Sequence, residues 1–368
     1  MSKENEYIVE MKNITKRFAH VVANQNINFS VKKGEVHALL GENGAGKTTL
    51  MNQLYGLYEP SEGEIIIKGK KLNVTSPSVA ISEGIGMVHQ HFMLIKPFTV
   101  TQNIILGEEP TKFKGILDLK KAREHVLELS GKFGFKVDPD AKISDISVGM
   151  QQRVEILKIL YRGADILIFD EPTAVLTPQE IDEFIKIIHR FTENGKTIII
   201  ITHKLKEILA MADVCTIIRR GKTIDTVDVS KTTEKELAEK MVGRDITFKV
   251  NKKPKEYGET VLEINNLVVR DERNLNVIDN LSLDVRAGEI LGIAGVDGNG
   301  QAELVESLMG LREVQAGSIF LKNEEMTGIN INKSINFKVG CIPADRQKEG
   351  LSPNFSIAEN LIIKEYKN

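Results

Sequence analysis

Residues 41–50 read GENGAGKTTL, a glycine-rich run closing on Lys and two Thr that fits the pattern G-x-x-x-x-G-K-[ST]. A strand-like run at 35–40 enters it and a helical pattern leaves it, which is the setting a phosphate-binding loop requires. Backbone N–H groups of Asn43 to Thr48, with the helix N-terminus behind them, are placed to hold a β-phosphate. Lys47 adds a point charge toward the β and γ phosphates, and Thr48 offers its hydroxyl to Mg²⁺. The candidate nucleotide-binding residues of this loop are Gly41, Glu42, Asn43, Gly44, Ala45, Gly46, Lys47, Thr48 and Thr49.

Downstream, the apolar run ILIF at 166–169 delivers Asp170 and Glu171 to the C-terminal end of a strand, where open α/β sheets place their ligand crevice. Asp170 there can hold Mg²⁺ through water, and Glu171 can orient or deprotonate an attacking water. Further strand-like runs are ADILIF at 164–169, KTIIII at 196–201 and VCTII at 214–218, the last closing a hairpin through RRGK. Helical patterns lie at about 119–132, 149–162 and 178–193. Alternation of this kind predicts an α/β core with a mostly parallel sheet, preceded by antiparallel strands within 7–40.

At 368 residues the chain exceeds one ordinary core and suggests two domains. Charged residues at 27% and hydrophobic ones at 41% fit a globular protein rather than a disordered or fibrous one. A net charge of -2 gives no general attraction to nucleic acid, and KKPK at 252–255 reads as a solvated linker. The longest apolar stretches, such as TIIIIT at 197–202, are strand-sized and too short to span a bilayer. The opening MSKENEYIVE is polar, unlike a signal peptide. Cys215 and Cys341 sit in apolar strand-like runs without metal or disulfide spacing, and both are expected in the core of a protein of the reducing cytoplasm.

An offset of 254 lays Gly41 on Gly295 and Gly86 on Gly340. NINFSVKKGEVHALLG then matches LSLDVRAGEILGIAG, and FTVTQNIIL matches FSIAENLII. The sequence therefore contains a first copy at 1–245, a polar Pro- and Gly-containing linker at 246–259, and the N-terminal part of a second copy at 260–368.

Between the two catalytic motifs stands DISVGMQQRVEILKIL at 145–160. With the phosphate loop and the Asp-Glu pair, it resembles the ATP-binding-cassette (ABC) ATPases over nearly all of the first copy. The implied fold is a P-loop NTPase cassette with a RecA-like parallel core, an antiparallel β subdomain and a helical subdomain. The implied ligands are ATP and Mg²⁺. Ser147 and Gly149 keep the two signature positions that touch the γ-phosphate of an opposing cassette, whereas Ile146, Val148 and Met150 depart from the family's Leu-Ser-Gly-Gly-Gln. A plainer reading of the same stretch is an N-capped amphipathic helix, with Ser147 capping and Val154, Leu157 and Tyr161 facing a core; the two readings are compatible.

By the same resemblance Gln90 in MVHQHF contacts metal and water and reports to the membrane subunit, and His203 in IITHK is the switch histidine that contacts the γ-phosphate. His20, His37, His89, His91, His125 and His189 are expected to be structural. Phe18, 23 residues before the loop, resembles the aromatic on which adenine stacks, a reading favoured over that of a strand core residue. After Glu171 the family's Ser-Ala-Leu-Asp appears as Ala174-Val175-Leu176-Thr177, so the Asp that serves cross-talk between paired sites is missing.

In the second loop, GVDGNGQAEL at 295–304, Gln301, Ala302 and Glu303 stand where Lys47, Thr48 and Thr49 do. Formal charge over 41–49 is zero (Glu42 and Lys47), and over 295–303 it is -2 (Asp297 and Glu303). Position 90 maps near Ala344, and position 18 maps onto Asp271 or Glu272. The second copy is expected to be structural or regulatory and not to hydrolyse nucleotide.

Within the family the tandem arrangement resembles the ATPase subunits of bacterial simple-sugar importers, the nucleoside-transport branch above all. That resemblance implies transmembrane permease subunits as partners, a substrate-binding lipoprotein acting through them, and a peripheral position on the cytoplasmic face of the membrane. Family cassettes work head to tail, so the site at Lys47 needs a signature from a second cassette or a second chain. Alternatives are a soluble tandem cassette acting on ribosomes or nucleic acid, which typically has a long charged linker and two intact loops, and a nucleotide-regulated scaffold without hydrolysis, against which Glu171 and His203 argue.

Overall fold

The structure is a computed structural model that describes residues 7–244 and 255–363, apart from 91, 113–114, 175, 272, 296–297 and 346–348. His91, Val175, Glu272, Asp297 and most of the expected linker therefore lie outside the described residues. The contact pattern divides the chain into two units, Met1–Lys249 and Val250–Asn368.

In the first unit, the antiparallel pair β1 (Tyr7–Phe18) and β2 (Val21–Lys32) leads into β3 (Val36–Leu40), the phosphate loop and α1 (Lys47–Leu54). Next come β4 (Glu62–Ile67), β5 (Lys70–Leu72), α2 (Pro77–Ser82) and β6 (Ile85–Val88). A helical stretch follows, α3 (Val100–Ile105), α4 (Leu119–Phe133) and α5 (Val148–Tyr161). The chain then alternates through β7 (Ile166–Asp170), α6 (Pro178–Glu193), β8 (Thr197–Thr202), α7 (Leu205–Met211), β9 (Val214–Arg219), β10 (Lys222–Asp228) and α8 (Glu234–Val242).

Two sheets result. One is antiparallel in the order β2-β1-β4-β5; the other runs β10-β9-β3-β8-β7-β6. The second is parallel except for β10, which pairs antiparallel with β9. Every residue of β3, β6, β7 and β8 is buried, as expected for parallel strands covered on both faces. Successive side chains point to opposite faces. Leu167, Phe169, Ile198 and Ile200 pack with Val154, Leu157, Phe184 and Phe191 of α5 and α6. Ile166, Ile168, Ile199 and Ile201 pack with Ile14, Phe29, Leu50 and Leu54 of the antiparallel sheet and α1. The Ile-rich run TIIIIT thus serves two cores, and the C-terminal ends of β3, β6, β7 and β8 are left to carry the chemistry.

The second unit begins with β11 (Thr260–Arg270) and β12 (Asn276–Arg286), then α9 (Gln301–Leu308), β13 (Val314–Leu321), β14 (Glu324–Glu325), α10 (Ile331–Asn336) and α11 (Ile357–Ile362). Its sheet order β12-β11-β13-β14 repeats β2-β1-β4-β5, so the internal repeat read from sequence is a repeat of architecture. The counterparts of β3 and β6 do not form strands here. Residues 290–295 and 339–344 are irregular, with Ile290 91% and Ile342 93% exposed. In the first unit β3 and β6 are separated by β8 and β7, and the second unit has no counterpart of either among its described residues. The same cause corrects the expectation for Cys341: it is half-exposed, whereas Cys215 in β9 is buried, with its thiol pushed up to about 12 by burial. Among the described residues no helix is long and apolar enough to cross a membrane.

Candidate functional site

The phosphate loop opens α1 through Gly46, whose φ of 99° is left-handed. A Cβ at Gly46 would stand 2.4 Å from the Ala23 carbonyl oxygen, so only glycine fits. Asn24, fully buried, donates to the Gly46 carbonyl (3.0 Å) and accepts from Gln53 Nε2 (2.9 Å). The β9–β10 turn is joined on as well: Gly221 N–H donates to Ala45 O, and Gln25 N–H donates to Gly221 O. The loop is thus held by β2, α1 and a hairpin far away in sequence.

An open cavity of about 520 Å³ lies over it, lined by Asn43 to Thr49, Val21 to Ala23, Gln90, Glu171, Arg220 and Gly221. Lys47 is buried, and its ammonium donates to the carbonyls of Gly41 (2.8 Å) and Glu42 (2.9 Å). Burial lowers its pKa, against the pull of Glu171 and Asp170. Asp170, at the end of β7, has its carboxyl raised above the ordinary range mainly by burial, and Thr48 Oγ1 donates to it at 3.4 Å. A buried carboxylate and a hydroxyl beside a phosphate loop are hard oxygen donors short of positive charge, which fits a small divalent cation that keeps several waters.

Glu171 carries the site's other acid. Its backbone is left-handed, with φ 47°, and its N–H donates to Ile201 O at 2.9 Å. A non-glycine residue there costs on the order of 1–3 kcal/mol, and such strain gathers at functional positions. Gln90 Nε2 donates to Glu171 Oε2 at 3.4 Å, and His203 Nδ1 lies 3.0 Å from Glu171 Oε1. Lys47, Thr48, Gln90, Asp170, Glu171 and His203 therefore converge from the ends of β3, β6, β7 and β8.

Other sequence candidates stand elsewhere. Phe18 closes β1 with its ring edge-on to Tyr58 at 5.2 Å and the Lys16 ammonium 5.1 Å from its centroid. It is not among the residues lining the cavity, where Val21, Val22 and Ala23 form the nearby wall. Ser147 caps α5, accepting from Met150 N–H at 3.3 Å, and a Cβ at Gly149 would meet Glu180 Oε1 at 2.3 Å. Neither lines the cavity. Thr177, where the family has Asp, caps α6 in a capping box with Glu180. His37 is buried between Glu35 Oε1 (2.9 Å) and Thr216 Oγ1 (2.8 Å), in a structural role. Arg220 and Gly221 of the cavity wall escaped the sequence reading because only folding carries that hairpin to the loop; the RRGK turn itself was visible.

Behind Gln90 the chain is pinned to the signature helix: Glu155 Oε1 accepts from Met93 N–H at 2.7 Å, and Lys158 Nζ donates to Met93 O at 3.2 Å. Burial raises the Glu155 carboxyl above its ordinary value, and Lys158, Met93 N–H and Arg162 only partly oppose this. A group raised on folding stabilises the fold at pH below its unfolded value, and that contribution is lost as pH climbs through the folded one. Glu155→Gln keeps the acceptor and removes the titration. Its melting temperature should gain on the parent's between about pH 4 and pH 8; a constant difference in thermal melts would contradict this.

In the second unit Gly300 (φ 92°) opens α9 as Gly46 (φ 99°) opens α1. The Gln301 amide nitrogen lies against Gly295, 2.0 Å from where a Cβ would be, much as Lys47 folds onto Gly41. Gln301 stands where Lys47 supplies a cation.

A family model described as ABC transporter matches residues 24–174 and 278–368. The nucleoside import ATP-binding protein NupA of Lactococcus lactis subsp. cremoris is 57% identical over 98% of this chain and 71% of the relative. The guanosine import ATP-binding protein NupO of Bacillus subtilis is 55% identical over the same shares, 98% and 71%. Among solved structures, an ATP-binding cassette of an ABC transporter in its ADP conformation is similar with a TM-score of 0.57 at 25% identity, covering 64% of this chain and 97% of that one.

Proposed function

Since the chain belongs to the ABC transporter family, we propose that it is the ATP-binding and ATP-hydrolysing subunit of an importer for nucleosides or simple sugars, nucleosides being favoured by NupA and NupO. It acts from the cytoplasmic face of the membrane, with permease subunits across the bilayer and a substrate-binding lipoprotein delivering cargo to them. Residues 1–245 form the active cassette, 246–259 a linker, and 260–368 part of a degenerate one.

The observation that carries the mechanism is the Glu171 carboxylate, held between Gln90 and His203 at the rim of the loop-lined cavity. The loop amides and Lys47 bind the β and γ phosphates, with Lys47 turning from the Gly41 and Glu42 carbonyls to do so. Thr48, Asp170 and Gln90 are the residues to hold Mg²⁺, which when bound neutralises phosphate charge. Glu171 accepts the proton of the attacking water, and His203 fixes the carboxylate that receives it. Val21 to Ala23 flank the nucleoside end.

Ser147 and Gly149 stand off the cavity, so a second signature must come from another cassette or chain. Hydrolysis by the isolated chain is expected to be slow and to rise with the square of protein concentration as two chains pair. A steady-state assay across a hundredfold dilution checks this, and a rate strictly proportional to concentration would refute pairing through the first copies.

A further inference from the structure

Two residues beyond Glu171 lies Thr173, 2% exposed. Its hydroxyl donates to Glu207 Oε2 at 2.7 Å. Lys204, next to His203, donates through Nζ to the Thr173 carbonyl (2.8 Å) and hydroxyl (3.1 Å) and pairs with Glu207 Oε1 at 3.2 Å. Glu207, in the first turn of α7, is itself buried. On the other side, Gln152 of the signature helix donates to Pro172 O at 2.8 Å. The segment after Glu171 is thereby tied to the segment after His203, and the bonds close on one another.

This arrangement has a purpose that burial alone does not require. Glu171 sits in a left-handed conformation, which persists only where its surroundings leave it no alternative. Its catalytic oxygen must also stay within hydrogen-bond reach of a histidine from a different strand. Glu171 N–H joins the two strand ends through Ile201 O, but that bond stops short of the segments that follow Glu171 and His203. The Thr173–Glu207–Lys204 cluster ties those segments to each other.

We propose that Thr173, Lys204 and Glu207 are positioning residues that set the Glu171–His203 pair for hydrolysis. The proposal rests on the reading of Glu171 and His203 as the catalytic pair. It assigns the cluster to the chemical step and not to nucleotide binding, since none of its members lines the cavity.

Thr173→Val, of nearly equal volume, removes one donor; Thr173→Ser keeps it; Glu207→Gln removes the charge that holds Lys204. In steady-state hydrolysis with Mg-ATP, Thr173→Val and Glu207→Gln should each lower kcat about 10- to 100-fold with KM within about twofold, and Thr173→Ser should stay near the parent. Glu207→Gln combined with His203→Ala should be no slower than His203→Ala alone, because both act through one pair. Parental kcat in Thr173→Val, kcat and KM shifting together, or losses that multiply would each overturn the proposal. If Glu207→Gln does not fold, the Val and Ser variants decide. Glu171→Gln run alongside separates the two readings: full activity in it defeats the catalytic assignment, whereas its inactivity beside a normal Thr173→Val defeats the cluster alone.

Discussion

Glu171→Gln is expected to lower ATP hydrolysis by about 10²- to 10⁴-fold, the usual contribution of a positioned general base, while leaving ATP binding near the parental level. The amide preserves the side chain's shape, with its oxygen left to accept from Gln90 Nε2 and its NH2 to donate to a neutral His203 Nδ1. It cannot accept a proton from water. On the proposed reading, binding rests mainly on the loop amides and Lys47, whose own hydrogen bonds the substitution leaves in place. Equilibrium binding of a fluorescent ATP analogue, set beside steady-state turnover, checks both halves. Parental turnover would remove Glu171 from the role of base.

Lys47→Ala acts at the opposite end of the sequence of events. Losing a hydrogen bond from a charged group costs roughly 1.5–3 kcal/mol, or about ten- to a hundredfold in affinity, and turnover should fall with it. In the second loop Gln301 already stands in that place. Calorimetric titration with Mg-ATP checks the change. Tight binding and turnover in Lys47→Ala would show that the second loop carries a working site.

Local signals made most of the fold legible. The phosphate loop is a chain-continuous motif whose strand and helix neighbours show in the same twenty residues. The four-residue apolar runs ILIF and IIII marked β7 and β8, because strands covered on both faces have no polar side to blur the pattern. Legibility ended where the cause was not local. Nothing in RRGK says that Arg220 and Gly221 border the Lys47 loop, and nothing in EPT or THKLKE says that Thr173 and Glu207 meet. Residues 290–295, matched to 36–41 by the repeat, form no strand; strand formation depends on partners, and these are lacking among the described residues of that unit. Cys341 misled for the same reason.

The bonds from Gly221 to Ala45 and from Gln25 to Gly221, with Asn24 on Gly46, carry a kinetic implication. A loop already knitted to its scaffold surrenders little freedom when a triphosphate arrives. On the proposed binding mode the principal moving part is the Lys47 ammonium swinging off two carbonyls, a rotamer change on a scale of roughly picoseconds to nanoseconds. Capture of ATP should therefore run at the pace of encounter, and the slow steps of the transport cycle fall to the assembly of larger pieces.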